Sequence, residues 1–114
     1  MQVAVPPKSE EECRAFYVRV LGMAELAKPL ALAGRGGIWV AAGGEQLHCG
    51  VESDFKPARK AHPAFAVEHL HDLAARIRAA GYEVAWDETN PSVRRFFTHD
   101  PFGNRLEFVE SKAD

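Results

Sequence analysis

The sequence predicts an α+β fold made of two tandem βαβββ modules, and two observations carry that prediction. Apolar patterning and turn residues divide each half of the 114-residue chain into one strand, one helix and three strands, in that order. The glycines that close the two helical stretches, Gly22 and Gly81, stand 59 residues apart, and so do His48 and Glu107. Agreement of order and offset is the mark of a repeated unit. The length suits one domain, read here as a module over residues 1–52, a linker over 53–60 and a module over 61–112, within a single domain over 1–114.

In the first module Val3-Ala4-Val5 forms a short strand that Pro6-Pro7 stops. Ser9 precedes Glu10, Glu11 and Glu12, which predicts an N-cap with a capping-box glutamate and negative charge on the first helical turn. Phe16, Tyr17, Val20 and Leu21 recur at helical spacing, and Gly22 is placed to end the helix in a left-handed cap. Strands over 23–26, 37–41 and 45–51 follow, separated by Pro29, a Gly-Arg-Gly-Gly turn and Gly43-Gly44. The second module repeats this with a strand over 61–67 and a helix over 69–80 that turns Leu70, Leu73, Ala74 and Ile77 inward. Strands over 82–86, 94–99 and 104–110 complete it, and the last two flank a Pro–Gly–Asn turn.

Composition narrows the function classes. The chain is 46% apolar and 26% charged, ordinary globular values, with a net charge of −2 and a pI near 6.2. No broad basic footprint for nucleic acid or an anionic membrane is present, and no run approaches membrane-spanning length. Without an apolar leader, and with Cys13 and Cys49 in apolar contexts that lack metal-type spacing, the expectation is a cytoplasmic protein with two buried thiols.

Side chains alternate across a strand, so each strand can be sorted by face. Val3 and Val5, Leu47 and Cys49, Phe65 and Val67, and Leu106 and Phe108 make apolar combs fit to pack against helices. The opposite faces carry Gln2, then His48, then His62, and finally Arg105 and Glu107 among small residues. A sheet whose concave face lines a ligand cavity has this pattern. His48, His62 and Glu107 are the candidate metal donors, since two imidazoles and a carboxylate on one side of a metal leave positions open for substrate or water. The bland alternative for each is a surface or satisfied core residue. Arg95 and Arg105 share the inward parity and are candidates for a substrate anion, while Lys56, Arg59, Lys60 and Arg94 read as a solvated basic fringe. Trp39, Phe55, Trp86 and Phe97 can supply flat apolar contacts.

The chain resembles the vicinal oxygen chelate superfamily of glyoxalase I, fosfomycin-resistance thiol transferases, extradiol dioxygenases and bleomycin-resistance proteins. The resemblance rests on Ala15-Phe16-Tyr17 through Val20-Leu21-Gly22, and on Asp100-Pro101-Phe102-Gly103-Asn104-Arg105-Leu106-Glu107-Phe108 at the end. It implies paired modules forming a U-shaped eight-stranded mixed sheet with helices on the outer face, a homodimer, and a divalent metal (Fe, Mn, Ni, Zn or Co). Carried over by position, Glu107 matches the last-strand ligand and catalytic carboxylate, His62 the ligand that opens the second module, and His48 a fourth-strand position where some members carry a ligand.

Two departures stand out. The family's first-strand ligand would fall one position before Met1, so either it precedes this chain, or Gln2 or His48 completes the set, or no metal binds. Phe97 stands where several relatives have a tyrosine able to donate a hydrogen bond. The expected function is a divalent-metal-dependent enzyme of lyase or isomerase, thiol transferase or dioxygenase type, using Gln2, Trp39, Arg95, Phe97 and Arg105 against a small oxygen-chelating substrate. The alternatives are a metal-free small-molecule binder of bleomycin-resistance type and a protein whose cavity is vestigial.

Overall fold

Strand pairing in the computed structural model, which describes residues 1–111, repeats the βαβββ order twice. Residue 112, the last of the second module in the sequence reading, lies outside the described residues, as do 113 and 114. The first module runs β1 (Gln2–Val5), α1 (Glu10–Cys13), β2 (Ala24–Leu26), β3 (Trp39–Ala42) and β4 (Glu45–Val51). The second runs β5 (Ala64–Val67), α2 (Leu70–Ala79), β6 (Ala85–Asp87), β7 (Arg95–His99) and β8 (Arg105–Glu110). Strand order is β1-β4-β3-β2 in one sheet and β5-β8-β7-β6 in the other. β1 lies parallel to β4 and β5 to β8, and the remaining pairs are antiparallel. The eight expected strands thus form two four-stranded mixed sheets, one from each βαβββ module.

The apolar combs do what their period requires. Val3, Val5, Leu47, Cys49, Phe65, Leu106 and Phe108 are buried, and Leu70, Leu73, Ala74 and Ile77 of α2 cover the same core. Phe65, Phe108 and Phe96 stack in sequence across β5, β8 and β7, with ring centroids 5.3 and 5.4 Å apart.

The first helix departs from expectation. Ser9 makes no side-chain cap; its hydroxyl donates to the Pro6 carbonyl at 2.6 Å. After Cys13 the helix widens into a π-helical segment, Arg14–Val20. The wider turn keeps Phe16 and Tyr17 both fully buried although they are adjacent in sequence. Gly22 ends this segment at φ +80°, where the cap bond from its N–H to the Val18 carbonyl needs a left-handed residue. A 3₁₀ turn over Leu30–Arg35 was not foreseen from the sequence.

The two modules are joined by buried polar contacts. Tyr17 donates its hydroxyl proton to Asp100 Oδ2 at 2.7 Å. Asn104 Nδ2 donates to that oxygen at 2.9 Å and to the Ala4 carbonyl at 2.8 Å. Asn104 Oδ1 accepts from the Ala58 amide at 3.1 Å, and the Arg105 amide donates to the Ala58 carbonyl at 3.0 Å. The closing turn therefore anchors the linker and β1 together.

Candidate functional site

Register places one row of side chains across each sheet. In the second module Glu107 of β8 pairs with Ala64 of β5 and with Phe97 of β7. In the first module His48 of β4 pairs with Gln2 of β1 and with Trp39 of β3. His48 and Glu107 are thus equivalent by topology, as are Trp39 and Phe97.

The rows differ in chemistry. In the second, His62 Nε2 lies 2.9 Å from Glu107 Oε1, and Nδ1 of the same ring lies 2.9 Å from the Lys60 carbonyl. A carbonyl oxygen can only accept, which fixes the proton on Nδ1 and aims Nε2 at the carboxylate. Two lone pairs cannot face one another at that distance, so this geometry suits a proton shared between Nε2 and Oε1, or one ion that both atoms bind side by side. Glu107 is nearly buried and His62 partly so, which raises the cost of leaving the pair without that proton or ion.

Glu107 Oε2 faces Arg95 Nη1 at 3.5 Å, and the same guanidinium is held from behind by Asp87 Oδ2, 2.8 Å from Nε and 2.7 Å from Nη2. Thr89 donates to Asp87 from both its hydroxyl and its amide, and with Arg95 these bonds hold the carboxyl down to about 2. Phe97 is the hub of this face: Arg105 Cζ sits 4.0 Å above its centroid, Arg95 Cζ at 5.7 Å, and the His62 ring meets it edge-on at 5.4 Å. Asp87 was missed from sequence, although its pairing with Arg95 follows from the β6–β7 register.

On the first module Trp39 and His48 stack face to face, 3.7 Å apart and within 1° of parallel. His48 Nε2 points to Gln46 Oε1 at 3.0 Å. Partial burial, the N-terminal ammonium and Lys28 all push the His48 imidazole below its ordinary value. The structure therefore brings His62 and Glu107 together and sets His48 in a different setting. Among the described residues no group of three or more His, Cys, Asp or Glu side chains is placed to hold a metal ion.

Gln2, at the β1 end of the first row, borders two cavities. It lines a cavity of about 360 Å³ with His62, Arg105 and Lys56, and a second of about 310 Å³ with Trp39, His48 and Lys28. Its amide rests over Gly50, where a Cβ would overlap Gln2 Nε2. Among the described residues no helix is long and apolar enough to cross a membrane.

Residues 2–108 match the family model described as the Glyoxalase/Bleomycin resistance protein/Dioxygenase superfamily. A protein assigned to the glyoxalase family from Bacillus anthracis is 48% identical, with a TM-score of 0.93 over 97% of this chain and 91% of that one. The fold is shared with lactoylglutathione lyase from Agrobacterium tumefaciens, at 19% identity and a TM-score of 0.71 over 97% of this chain and 92% of that one. It is shared equally with TnmS3, an antibiotic binding protein from Streptomyces sp. CB03234, at 22% identity and a TM-score of 0.71 over 97% and 93%. Comparison with curated proteins finds no match. Two independent likenesses, one to the family model and one to a solved structure at nearly half identity, agree over almost the whole chain: it belongs to the glyoxalase/bleomycin resistance protein/dioxygenase superfamily.

Proposed function

We propose that the chain is a divalent-metal-dependent enzyme for a small oxygen-chelating substrate, with His62 and Glu107 as metal donors. The observation that supports this reading is the orientation of the pair. The Lys60 carbonyl fixes the His62 tautomer so that Nε2 is presented beside Glu107 Oε1 at 2.9 Å, and two donor atoms that close together can bind one ion side by side. A backbone carbonyl holding the far nitrogen of a histidine is the usual support of a metal-ligating imidazole. The pair fits as part of a donor set and falls short of the three protein ligands that catalytic sites commonly use.

His48 enters the set only if a second copy of the chain brings its first module against this second module, so the reading carries a homodimer with it. A bound divalent ion would supply Lewis acidity toward the oxygens of the substrate. The chain's own residues then have defined tasks. Glu107 accepts or returns a proton beside the substrate, Arg95 limits the carboxylate's freedom, and Phe97 with Gln2 shapes the wall. Lyase or isomerase, thiol-transfer and ring-cleaving chemistry all suit such a face.

Removing bound metal with EDTA, adding back Fe(II), Mn, Ni, Zn or Co, and following the melting temperature tests this. The wild type is expected to rise with at least one metal and His62→Ala and Glu107→Gln to lose the rise; equal shifts in all three proteins would overturn the reading.

One observation favours a second reading, a metal-free small-molecule binder. Arg95 already faces Glu107 Oε2 at 3.5 Å, so a protonated His62 and Arg95 together can satisfy the carboxylate with no metal. Small-molecule binding that persists in EDTA and in Glu107→Gln is the outcome this second reading expects.

A further inference from the structure

We infer that the cavity between β1 and the linker is the anchor for an oxyanion group of the substrate, a carboxylate or a phosphate, held by Arg105 with Lys56. The inference rests on reading this face as a small-molecule site, and it adds the class of molecule bound there.

Two arginines point into the face, and the structure gives them different tasks. Arg95 is engaged on both sides, by Asp87 at 2.7 Å and by Glu107 at 3.5 Å. Its charge is spent within the protein. Arg105 has a carboxylate partner nowhere among the described residues, and neither does Lys56. The Arg105 guanidinium carbon sits 4.0 Å over the Phe97 ring centroid, which holds the group in place and strips water from one side of it. Its edge, where the N–H donors are, is left to an outside acceptor. A fork of donors held over an aromatic ring suits two oxygens of one anion.

The wall of the cavity is built for the same purpose. Arg105, His62, Lys56 and Ala58 line it together with Gln2. Lys56 sits on the linker, and the linker is not free. Asn104 and Arg105 grip Ala58 through both its amide and its carbonyl. Gly103, at φ +94°, comes so near Pro57 that a Cβ there would lie 3.3 Å from Pro57 Cβ. The closing turn that delivers Arg105 to the cavity thus delivers the lysine as well. The nearby carboxylates are already engaged, Asp87 by Arg95 and Glu107 by His62 and Arg95, which leaves Arg105 and Lys56 as cations without a carboxylate partner among the described residues.

Titrating inorganic phosphate, and separately acetate, into chelator-treated ¹⁵N-labelled protein tests this, following the Arg105 Nε–Hε signal and the Ala58 and Arg105 amides. Saturable shifts with phosphate, acetate or both are expected, the stronger ligand reporting which oxyanion the anchor prefers. Arg105→Gln is expected to weaken binding about tenfold or more, the usual worth of a charged hydrogen-bonding fork. Lys56→Gln should weaken it by a smaller factor, and Arg35→Gln, on the other module, should leave it unchanged. Arg105→Lys keeps the charge over Phe97 and loses the fork, so it carries the test if Arg105→Gln fails to fold, with an intermediate affinity expected. Linear, unsaturating shifts with both anions, or wild-type affinity in the Arg105 variants, would overturn the inference. Because this titration is made without metal, its failure and the failure of the metal reading are separate results.

Discussion

At Gly37 and Gly50 a single added carbon meets very different neighbours. Gly37 holds φ +77°, and a Cβ there would overlap the Cys49 carbonyl oxygen, a backbone atom fixed in β4. Gly37→Ala is therefore expected to cost about 3 kcal/mol or more, strain and clash together. At Gly50 the obstacle is the end of the flexible Gln2 side chain. Gly50→Ala is expected to stay within about 1 kcal/mol of wild type while pushing the Gln2 amide away from its place between the two cavities. Urea midpoints of both variants check the contrast, and a Gly50→Ala protein as unstable as Gly37→Ala would contradict it. The same scale shows why Glu107 was legible and its setting was not. Parity in β8 is local, so a carboxylate between Leu106 and Phe108 must face away from the core. That Lys60 aims His62 at it, and Asp87 aims Arg95, depends on contacts between strands that no single stretch reveals.

Among the elements, the closing turn does more than join β7 to β8. Asp100 Oδ1 accepts from the Phe102 and Asn104 amides, and Oδ2 accepts from Asn104 Nδ2 within the turn and from the Tyr17 hydroxyl across the module boundary. Burial and the Asp100 charge push the Tyr17 phenol well above its ordinary value. The sign of the linkage follows: above about pH 10 the unfolded chain releases this proton while the folded chain keeps it, so stability falls as pH rises. Tyr17→Phe is expected to cost about 1–3 kcal/mol at neutral pH and to remove one proton's worth of that alkaline slope, measured by urea unfolding at several pH values. Asn104→Ala leaves the Ala4 carbonyl and the Ala58 amide without their partner, at a cost of about 2 kcal/mol or more. Its signature is faster hydrogen exchange at Ala58, whereas a protected Ala58 amide in the variant would show that the linker is held by other means.

The turn itself was readable from Pro101-Phe102-Gly103-Asn104, because turn chemistry is local. Its partners lie 46 and 100 residues away and were not readable. The π-helical widening is a similar case. Helical period forecast a helix there, but only the shared core dictates that Phe16 and Tyr17 both point inward.

For the molecule as a whole, repetition supplies the frame and divergence supplies the site. The two modules place equivalent rows on their sheets, Gln2–His48–Trp39 and Ala64–Glu107–Phe97, so the fold was legible from order and spacing alone. What each row became was not. In the first, an aromatic stack closes over His48; in the second, a nearly buried carboxylate meets His62 and Arg95, and both arginines gather with His62 around Phe97. Sedimentation equilibrium checks the assembly that the metal reading carries with it, and a dimer is the expected state; a monomer at all concentrations would leave His48 outside the donor set. The most direct test of the central claim is the visible spectrum of the protein titrated with Co(II), since its d–d bands report the donors themselves. The account predicts bands that saturate in the wild type and vanish in both His62→Ala and Glu107→Gln. Bands that are absent in the wild type, or that persist unchanged in either variant, would contradict it.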